Sequence, residues 1–172
     1  GAGTGRYSLY FAQKGYEVVA VELVKKHAKA IESAKTDMMN LKVVHGDALE
    51  QLISMDSESF DIILCFGPLY HMAKPEDRAT CVEEILRVCT DQGRMYFAFI
   101  NNDMVITTET MLYDPNYMET GHYNKKTFKV EDFPFIFYTV SDARELLVQS
   151  GVTVEKEVAS DGMSELLADK IN

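Results

Sequence analysis

The sequence lacks the features that mark membrane proteins, disulfide scaffolds and metal sites. No apolar run approaches the roughly 20 residues that a membrane-spanning helix needs. Its three cysteines, Cys65, Cys81 and Cys89, form no Cys-x-x-Cys pair and show no metal-ligand spacing. Their odd number and apolar neighbours indicate reduced, buried thiols. We therefore expect a cytoplasmic protein with no bound metal and no membrane partner.

Positive charge is scarce as well. The chain has 17 Lys and Arg residues against 27 Asp and Glu residues, which gives a net charge of −10. A phosphate backbone is bound chiefly by clustered Lys and Arg. The nearest such cluster, Lys25-Lys26-His27 with Lys29, is more typical of a solvated helix face. The composition disfavours long nucleic acids and points to a small-molecule partner.

An alternation of strand-type and helix-type segments predicts an α/β fold with a mainly parallel sheet in one domain of 172 residues. The predicted strands cover 17–22, 41–45, 60–66, 94–100 and 152–158. The predicted helices cover 6–14, 25–38, a turn after Asp47, a segment from Pro75 to Gly93, 141–150 with Ser141 as its cap, and 164–171.

The alternation stops over residues 101–140, which hold eight aromatic side chains. An insertion this long in a compact domain is usually functional or has structure of its own. We expect most of these aromatics to form a small core, with 133–137 as a buried strand. One or two of Tyr113, Tyr117 and Tyr123 would then face a substrate, so that the insertion acts as a lid.

The glycine loop Gly1-Ala2-Gly3-Thr4-Gly5 precedes the first helix. Glycines at alternate positions let the backbone turn tightly and approach a ligand, and the helix offers free N–H groups to it. A dinucleotide-binding fingerprint, Gly-x-Gly-x-x-Gly, would place glycine where this sequence has Arg6. The loop therefore predicts a nucleotide site of a different kind.

Two carboxylates follow the next strands. Glu22 ends an apolar run, where it can accept both ribose hydroxyls of a nucleotide. Asp47, in His45-Gly46-Asp47-Ala48, can accept the amino group of an adenine while a backbone N–H reads the ring; it can equally cap the following helix. Both roles of Asp47 coexist only if the side chain divides its two oxygens between them.

The segment Phe66-Gly67-Pro68-Leu69-Tyr70-His71-Met72 follows the most strand-like stretch of the chain. Loops at this edge of an open α/β sheet face the bound ligand. We expect Phe66 or Leu69 to pack on the ligand. Tyr70 and His71 are the candidate catalytic residues, with a purely structural role for His71 as the alternative.

Together these motifs resemble class I S-adenosylmethionine-dependent methyltransferases of bacterial type. That group commonly carries Gly-Pro-Leu-Tyr-His-Leu where this sequence has residues 67–72, and it shares the opening Gly-x-Gly-Thr-Gly-Arg-Tyr-Ser and the strand ending Val-Ala-Val-Glu-Leu. The resemblance covers residues 1 to about 100 well and 141–158 loosely. It implies a Rossmann-like, doubly wound sheet with helices on both faces. The cofactor contacts that it implies are Gly1, Gly3, Gly5, Glu22, Leu23, Asp47, Ala48 and Phe66.

The implied reaction moves a methyl group from S-adenosylmethionine to a small-molecule acceptor by in-line displacement and leaves S-adenosylhomocysteine. Alignment is the protein's main contribution, and His71 is of the right residue type for a general base. Two other functions stay open at this point. One is an NAD(P)-dependent oxidoreductase, which Arg6 and Asp47 disfavour; the other is a domain that binds S-adenosylmethionine without catalysis.

The same fold places a central strand ahead of the glycine turn, between the strands at 17–22 and 60–66. No strand precedes Gly1 in this sequence. Without it, both neighbouring strands would expose unpaired backbone, which is costly. We therefore expect the sequence to be a piece of a longer chain, short of this first strand and of a further strand after 152–158.

Overall fold

The computed structural model describes residues 1–131 and 134–160, and they form two compact units. The first unit contains Gly1–Leu69 and Glu76–Ala98, and the second contains Tyr70–Pro75 and the chain from Phe99 onward. The backbone therefore passes between the units three times. No helix of the described ranges is both long and apolar enough to cross a bilayer.

The first unit alternates helices and strands as the sequence predicts. Its strands are β1 (Val18–Glu22), β2 (Leu41–His45), β3 (Phe60–Cys65) and β4 (Cys89–Phe97). Its helices are α1 (Arg6–Gln13), α2 (Lys25–Ala34), α3 (Ala48–Ile53) and α4 (Pro75–Val88), with a 3-10 turn at Pro68–Tyr70. The α/β class is thus confirmed.

The strands of this unit form two parallel pairs. Val18 lies opposite Leu41 at the start of the β1–β2 pair, and Glu22 lies opposite His45 at its end. The strand β3 pairs in the same parallel sense with β4. Within the part of the chain that the structure describes, β1 and β3 are not paired with each other. The described strands of this unit therefore form two separate parallel ladders.

A small core holds α1 and α2 against the first strand pair. It consists of Ala12, Ala20, Ile31 and Leu41, each at most 3% exposed. Gly5, which precedes α1, has a φ of +88°, and a Cβ there would lie 2.7 Å from Ile31 Cγ1. Only glycine combines this conformation with this close approach, so Gly5 sets where α1 begins.

Two of the predicted helix ends lie earlier in the structure. The helix α2 stops at Ala34, four residues early, because Lys35 is already extended. The helix α4 stops at Val88, so the prediction that Gly93 ends it was wrong. The backbone N–H of Ser59 donates to the Val88 carbonyl at 2.8 Å, and the chain then turns into β4 alongside β3.

The second unit shows that the insertion has structure of its own. It contains β5 (Ile100–Asn101), α5 (Asn102–Thr108), a π-helix at Glu109–Tyr113, α6 (Tyr117–Thr120), β6 (Phe137–Tyr138) and α7 (Val140–Gln149). The two short strands pair in parallel, with Ile100 opposite Phe137.

A buried amide ties the aromatic loop of this unit to α5. Asn102 is 2% exposed; its Oδ1 accepts from the Val130 N–H at 2.8 Å, and its Nδ2 donates to the Phe128 carbonyl at 2.9 Å. Phe128 has a φ of +55°, which a bulky side chain rarely adopts. The Asn102 amide therefore holds a strained backbone segment in place.

Three predictions for the end of the chain were wrong. The buried strand at 133–137 is reduced to Phe137–Tyr138, since Phe135 is 39% exposed; Phe133 lies outside the described residues. Thr139, rather than Ser141, caps α7, because its Oγ1 accepts from the Asp142 N–H at 3.1 Å and the Asp142 carboxylate reaches back to the Thr139 N–H. Residues 152–158 form no strand, since no described strand pairs with them. The helix predicted at 164–171 lies outside the described residues.

Candidate cofactor site

The glycine loop lies at the carboxyl ends of β1 and β3. The Ala2 N–H donates to the Val21 carbonyl at 2.9 Å, and the Gly5 N–H donates back to the Ala2 carbonyl at 3.0 Å. A Cβ on Gly1 would lie 3.2 Å from Pro68 Cδ and 3.7 Å from the Phe66 carbonyl oxygen. The loop therefore bridges the first strand and the segment that follows β3, which is where open α/β sheets bind their ligands.

Glu22 is tied directly to this loop. Its Oε2 accepts from the Gly3 N–H at 2.7 Å, and its Oε1 accepts from the Val24 N–H at 2.9 Å. His27 Nδ1 lies 3.6 Å from Oε1, and the Glu22 side chain is 7% exposed. An ionised carboxylate has about four lone-pair sites, so two remain for the hydroxyls of a ribose.

The same contacts keep Glu22 ionised. Burial raises the pKa of its carboxyl group, but the hydrogen bonds from Val24 and Gly3, together with nearby positive charge including His27, lower the pKa more. The net pKa lies below the usual glutamate value. Glu22 is therefore an acceptor at neutral pH, as ribose binding requires.

Asp47 divides its oxygens in the way that a double role demands. Its Oδ1 accepts both helix-cap bonds, from the Leu49 N–H at 2.9 Å and from the Glu50 N–H at 3.2 Å. Among the residues that the structure describes, none donates to Oδ2. The adjacent Gly46 N–H donates to the Glu22 carbonyl at 3.1 Å, which places the backbone that precedes Asp47 next to the end of β1.

Apolar side chains surround these carboxylates. Leu23 is 62% exposed directly after Glu22, and Ala48 begins α3 directly after Asp47. Phe66 packs edge-on against Tyr7, with ring centroids 5.4 Å apart at 74°. Tyr7 was not among the predicted site residues, although its place in the first turn after the glycine loop was the available signal. Leu69 is fully buried, whereas Phe66 is partly exposed, so Phe66 is the one of these two candidates that can face a ligand.

The candidate catalytic residues sit in an aromatic cluster of the second unit. The Tyr70 and His71 ring centroids are 5.0 Å apart, and His71 lies 5.0 Å from Phe135. The Ile136 N–H donates to the Tyr70 carbonyl at 2.9 Å. His71 itself is exposed. The structure therefore brings Tyr70 and His71 together and supports both rings from the segment at 135–137.

The three candidate substrate tyrosines differ in their surroundings. Tyr117 is buried and stacks on Tyr123 at 5.8 Å, and Tyr123 stacks on Phe128 at 6.1 Å. The Tyr123 hydroxyl donates to the Met118 carbonyl. Tyr113, on the π-helix, is 63% exposed. Tyr113, Phe128 and Phe135 are exposed, so the expectation that most of the aromatics form a core of their own is met only in part.

The described residues offer no group of three or more His, Cys, Asp or Glu side chains that could hold a metal ion. The three cysteines are free and buried, as the sequence predicts.

Comparison with known proteins identifies a family. The family model described as "Methyltransferase domain" matches residues 1–97. An uncharacterized methyltransferase of Staphylococcus carnosus is 23% identical over 160 residues, which is 90% of this chain and 69% of that protein.

Solved structures agree with the fold. An S-adenosylmethionine-dependent methyltransferase from Mesorhizobium loti matches 99% of this chain and 79% of its own at 15% identity, with a TM-score of 0.66. A second such enzyme, from Methanosarcina mazei, matches 87% of this chain and 76% of its own at 19% identity, with a TM-score of 0.64. At these identities the likeness shows a Rossmann-like α/β fold.

Proposed function

We propose, from the premise that this chain belongs to the methyltransferase-domain family and is an S-adenosylmethionine-dependent methyltransferase, that it methylates a small-molecule acceptor. The observation that carries the proposal is the pairing of two carboxylates at the glycine loop. The Gly3 N–H donates to Glu22 Oε2 at 2.7 Å, no described residue donates to Asp47 Oδ2, and the Gly46 N–H next to Asp47 donates to the Glu22 carbonyl at 3.1 Å.

Each part of the cofactor has a partner in this arrangement. Glu22 accepts the ribose hydroxyls, and Asp47 Oδ2 accepts the adenine amino group. Leu23, Ala48 and Phe66 supply apolar surface around the adenine and the methionine chain. The backbone of Gly1, Gly3 and Gly5 lies against the carboxypropyl tail, where a side chain would be in the way.

When bound, S-adenosylmethionine supplies a methyl group that its sulfonium has already activated. The protein's contribution is then to align the acceptor with that methyl group and to exclude water. An acceptor that must lose a proton needs a base, and His71 is our candidate. Its ring is exposed yet supported by Tyr70 and Phe135, so it has both access and a defined orientation.

The proposed base is tested by comparing two variants, His71→Gln and Phe135→Leu. The second variant loosens the support of the His71 ring but leaves its imidazole in place. A general base contributes about 10²–10⁴-fold to the rate. We expect His71→Gln to lower kcat within that range, whereas Phe135→Leu should lower kcat much less. Equal, small losses in both variants would make His71 a packing residue.

The acceptor site is proposed to involve the second unit. Tyr113 offers an exposed ring, whereas Tyr117 and Tyr123 contribute mainly through their stack. Exposed aromatic rings suit a small, partly apolar acceptor or a cationic one held by cation–π contact. A metabolite screen with a labelled methyl donor identifies the acceptor class.

Binding and turnover separate the rival functions. Calorimetry should show that the chain binds S-adenosylmethionine and not NAD; the reverse preference would refute the proposal. Release of S-adenosylhomocysteine in the acceptor screen demonstrates catalysis. Firm cofactor binding with no turnover on any acceptor would favour a domain that only binds the cofactor.

A further inference from the structure

The two oxygens of the Glu22 carboxylate have different surroundings. Each accepts one backbone hydrogen bond, Oε2 from the Gly3 N–H at 2.7 Å and Oε1 from the Val24 N–H at 2.9 Å. Oε1 also has an imidazole beside it, since His27 Nδ1 lies 3.6 Å away. Among the residues that the structure describes, no second side chain forms a hydrogen bond or an ion pair with this carboxylate. A ligand therefore meets an imidazole on the Oε1 side of Glu22.

The start of α2 holds His27 in this position. Helix α2 begins at Lys25, and the His27 N–H donates to the Val24 carbonyl at 2.9 Å, so His27 lies in the first turn. The Val24 N–H donates to Glu22, so this turn is bonded directly to the end of β1. The His27 side chain is 41% exposed, whereas that of Glu22 is 7% exposed. A ligand that approaches Glu22 from solvent can therefore also reach the imidazole.

The distance between His27 Nδ1 and Glu22 Oε1 suits a bridging group. Hydrogen bonds of the N–H···O type are about 2.7–3.2 Å long, so 3.6 Å is too long for a direct bond. Two polar groups at such a separation can be joined by one oxygen that contacts both. A hydroxyl suits this place, because it donates one hydrogen and accepts others. It would donate to Oε1 and accept from the imidazole, with the ring hydrogen on Nδ1.

We propose that His27 is a specificity-determining residue of the cofactor site, where it binds one of the two ribose hydroxyls of S-adenosylmethionine together with Glu22 Oε1. The other ribose hydroxyl binds Oε2 and does not contact the imidazole. This inference rests on the proposed placement of the ribose at Glu22. It goes further because it makes the two hydroxyls unequal and gives one of them a donor as well as an acceptor.

A purely structural role for His27 leads to a different expectation. If His27 only oriented the Glu22 carboxylate, its loss would weaken the binding of every ribose-bearing ligand by the same factor. If His27 binds one hydroxyl, its loss weakens only the ligands that carry this hydroxyl. Ligands that lack one hydroxyl therefore separate the two roles.

The test measures, by calorimetry, the Kd of S-adenosylhomocysteine and of its two analogues that each lack one ribose hydroxyl. We expect His27→Leu to weaken binding of the intact ligand and of one analogue by roughly three- to tenfold, the contribution of one neutral hydrogen bond. The affinity for the other analogue, which lacks the hydroxyl that His27 binds, should not change.

Two further variants control this comparison. His27→Asn should restore most of the lost affinity, because the asparagine amide is attached to Cγ, as Nδ1 is, and also donates a hydrogen. Lys26→Ala removes an exposed positive charge from the same helical turn and should bind all three ligands as the wild-type chain does. If His27→Leu does not fold, His27→Ala takes its place in the same measurements.

The affinities for the three ligands decide the matter. If loss of the imidazole changes all three by the same factor, or changes none of them, His27 binds no ribose hydroxyl and the inference is overturned. Similar losses in Lys26→Ala would assign the effect to general positive charge and would overturn it as well. If S-adenosylhomocysteine does not bind the wild-type chain at all, the proposed cofactor site is refuted, and this inference with it.

Discussion

Replacement of Asp47 separates its two proposed roles. The side chain uses Oδ1 for the cap of α3 and leaves Oδ2 open. Asp47→Ala removes both oxygens. Asp47→Ser retains a cap, because a serine hydroxyl also accepts from the first-turn N–H groups, but it is too short to reach the adenine. The two variants therefore differ in whether they retain the helix cap, and both lose the adenine contact.

The structure limits the size of each effect. A hydrogen bond to a charged group contributes about 1.5–3 kcal/mol, and Asp47 is only partly buried, so water offsets some of the loss. We expect the lower part of that range, about 1.5–2 kcal/mol, which corresponds to a roughly ten- to thirtyfold weaker Kd for S-adenosylmethionine. Loss of the cap should lower the free energy of unfolding by about 1 kcal/mol in Asp47→Ala alone.

Calorimetry with S-adenosylmethionine and urea unfolding without it measure the two effects independently. Glu50→Ala is the control, since this exposed residue shares the first turn of α3 and its backbone N–H keeps the cap bond. Both Asp47 variants should bind the cofactor equally weakly. Wild-type affinity in Asp47→Ser would refute the adenine contact and leave Asp47 as a helix cap.

Three further predictions concern the fold around the site. Gly3→Ala should cost about 1–2 kcal/mol of unfolding free energy from its positive φ alone, whereas Gly5→Ala should cost about 1–3 kcal/mol more from its clash with Ile31; equal losses in urea unfolding would contradict the crowding at Gly5. Because the folded pKa of Glu22 is depressed, its stabilisation is present above the ordinary glutamate pKa of about 4.3 and is lost as the pH falls through the folded value. Glu22→Gln should therefore flatten the acid limb of the stability–pH curve. If the limb is unchanged, the loss of stability at low pH comes from other carboxyl groups. Asn102→Ala should destabilise the chain by about 1–3 kcal/mol for each backbone group left unpaired, seen by urea unfolding, while a loss below 0.5 kcal/mol, about the size of an ordinary surface effect, would mean that water replaces the amide.

Three strands of the first unit were predictable because their signals are local, whereas β4, predicted at 94–100, is observed at Cys89–Phe97. The apolar runs of β1, β2 and β3 are bounded by turn residues, and their observed limits differ from the predicted ones by one residue at most. The end of α4 was not predictable in this way. From Cys89 onward the backbone pairs with β3 instead of continuing the helix. Its partner Phe60 is 29 residues away in the sequence, so the helical pattern does not show where α4 ends.

The candidate site was likewise predictable from the sequence only in part. The motif spacing selected Glu22 and Asp47; in the structure Gly3 of the loop donates to Glu22, and Gly46, next to Asp47, donates to the Glu22 carbonyl. The bond from Gly3 to Glu22 depends on how the loop folds back over β1, which spacing alone does not specify. The prediction of the α7 cap was wrong for a related reason. Thr139 and Ser141 are both good capping residues, and the reciprocal bond with Asp142 decides between them.

The passage of residues Tyr70–Pro75 into the second unit bears on how this protein can be recombined with its relatives. The boundary of the matched family region, residues 1–97, falls almost where the chain enters the second unit for good. A chimera joined at that boundary would carry Tyr70 and His71 from one parent, yet it would take Phe135 and Ile136, which support them, from the other. An exchange of acceptor preference should therefore transplant residues 70–75 together with the insertion, as a single discontinuous cassette.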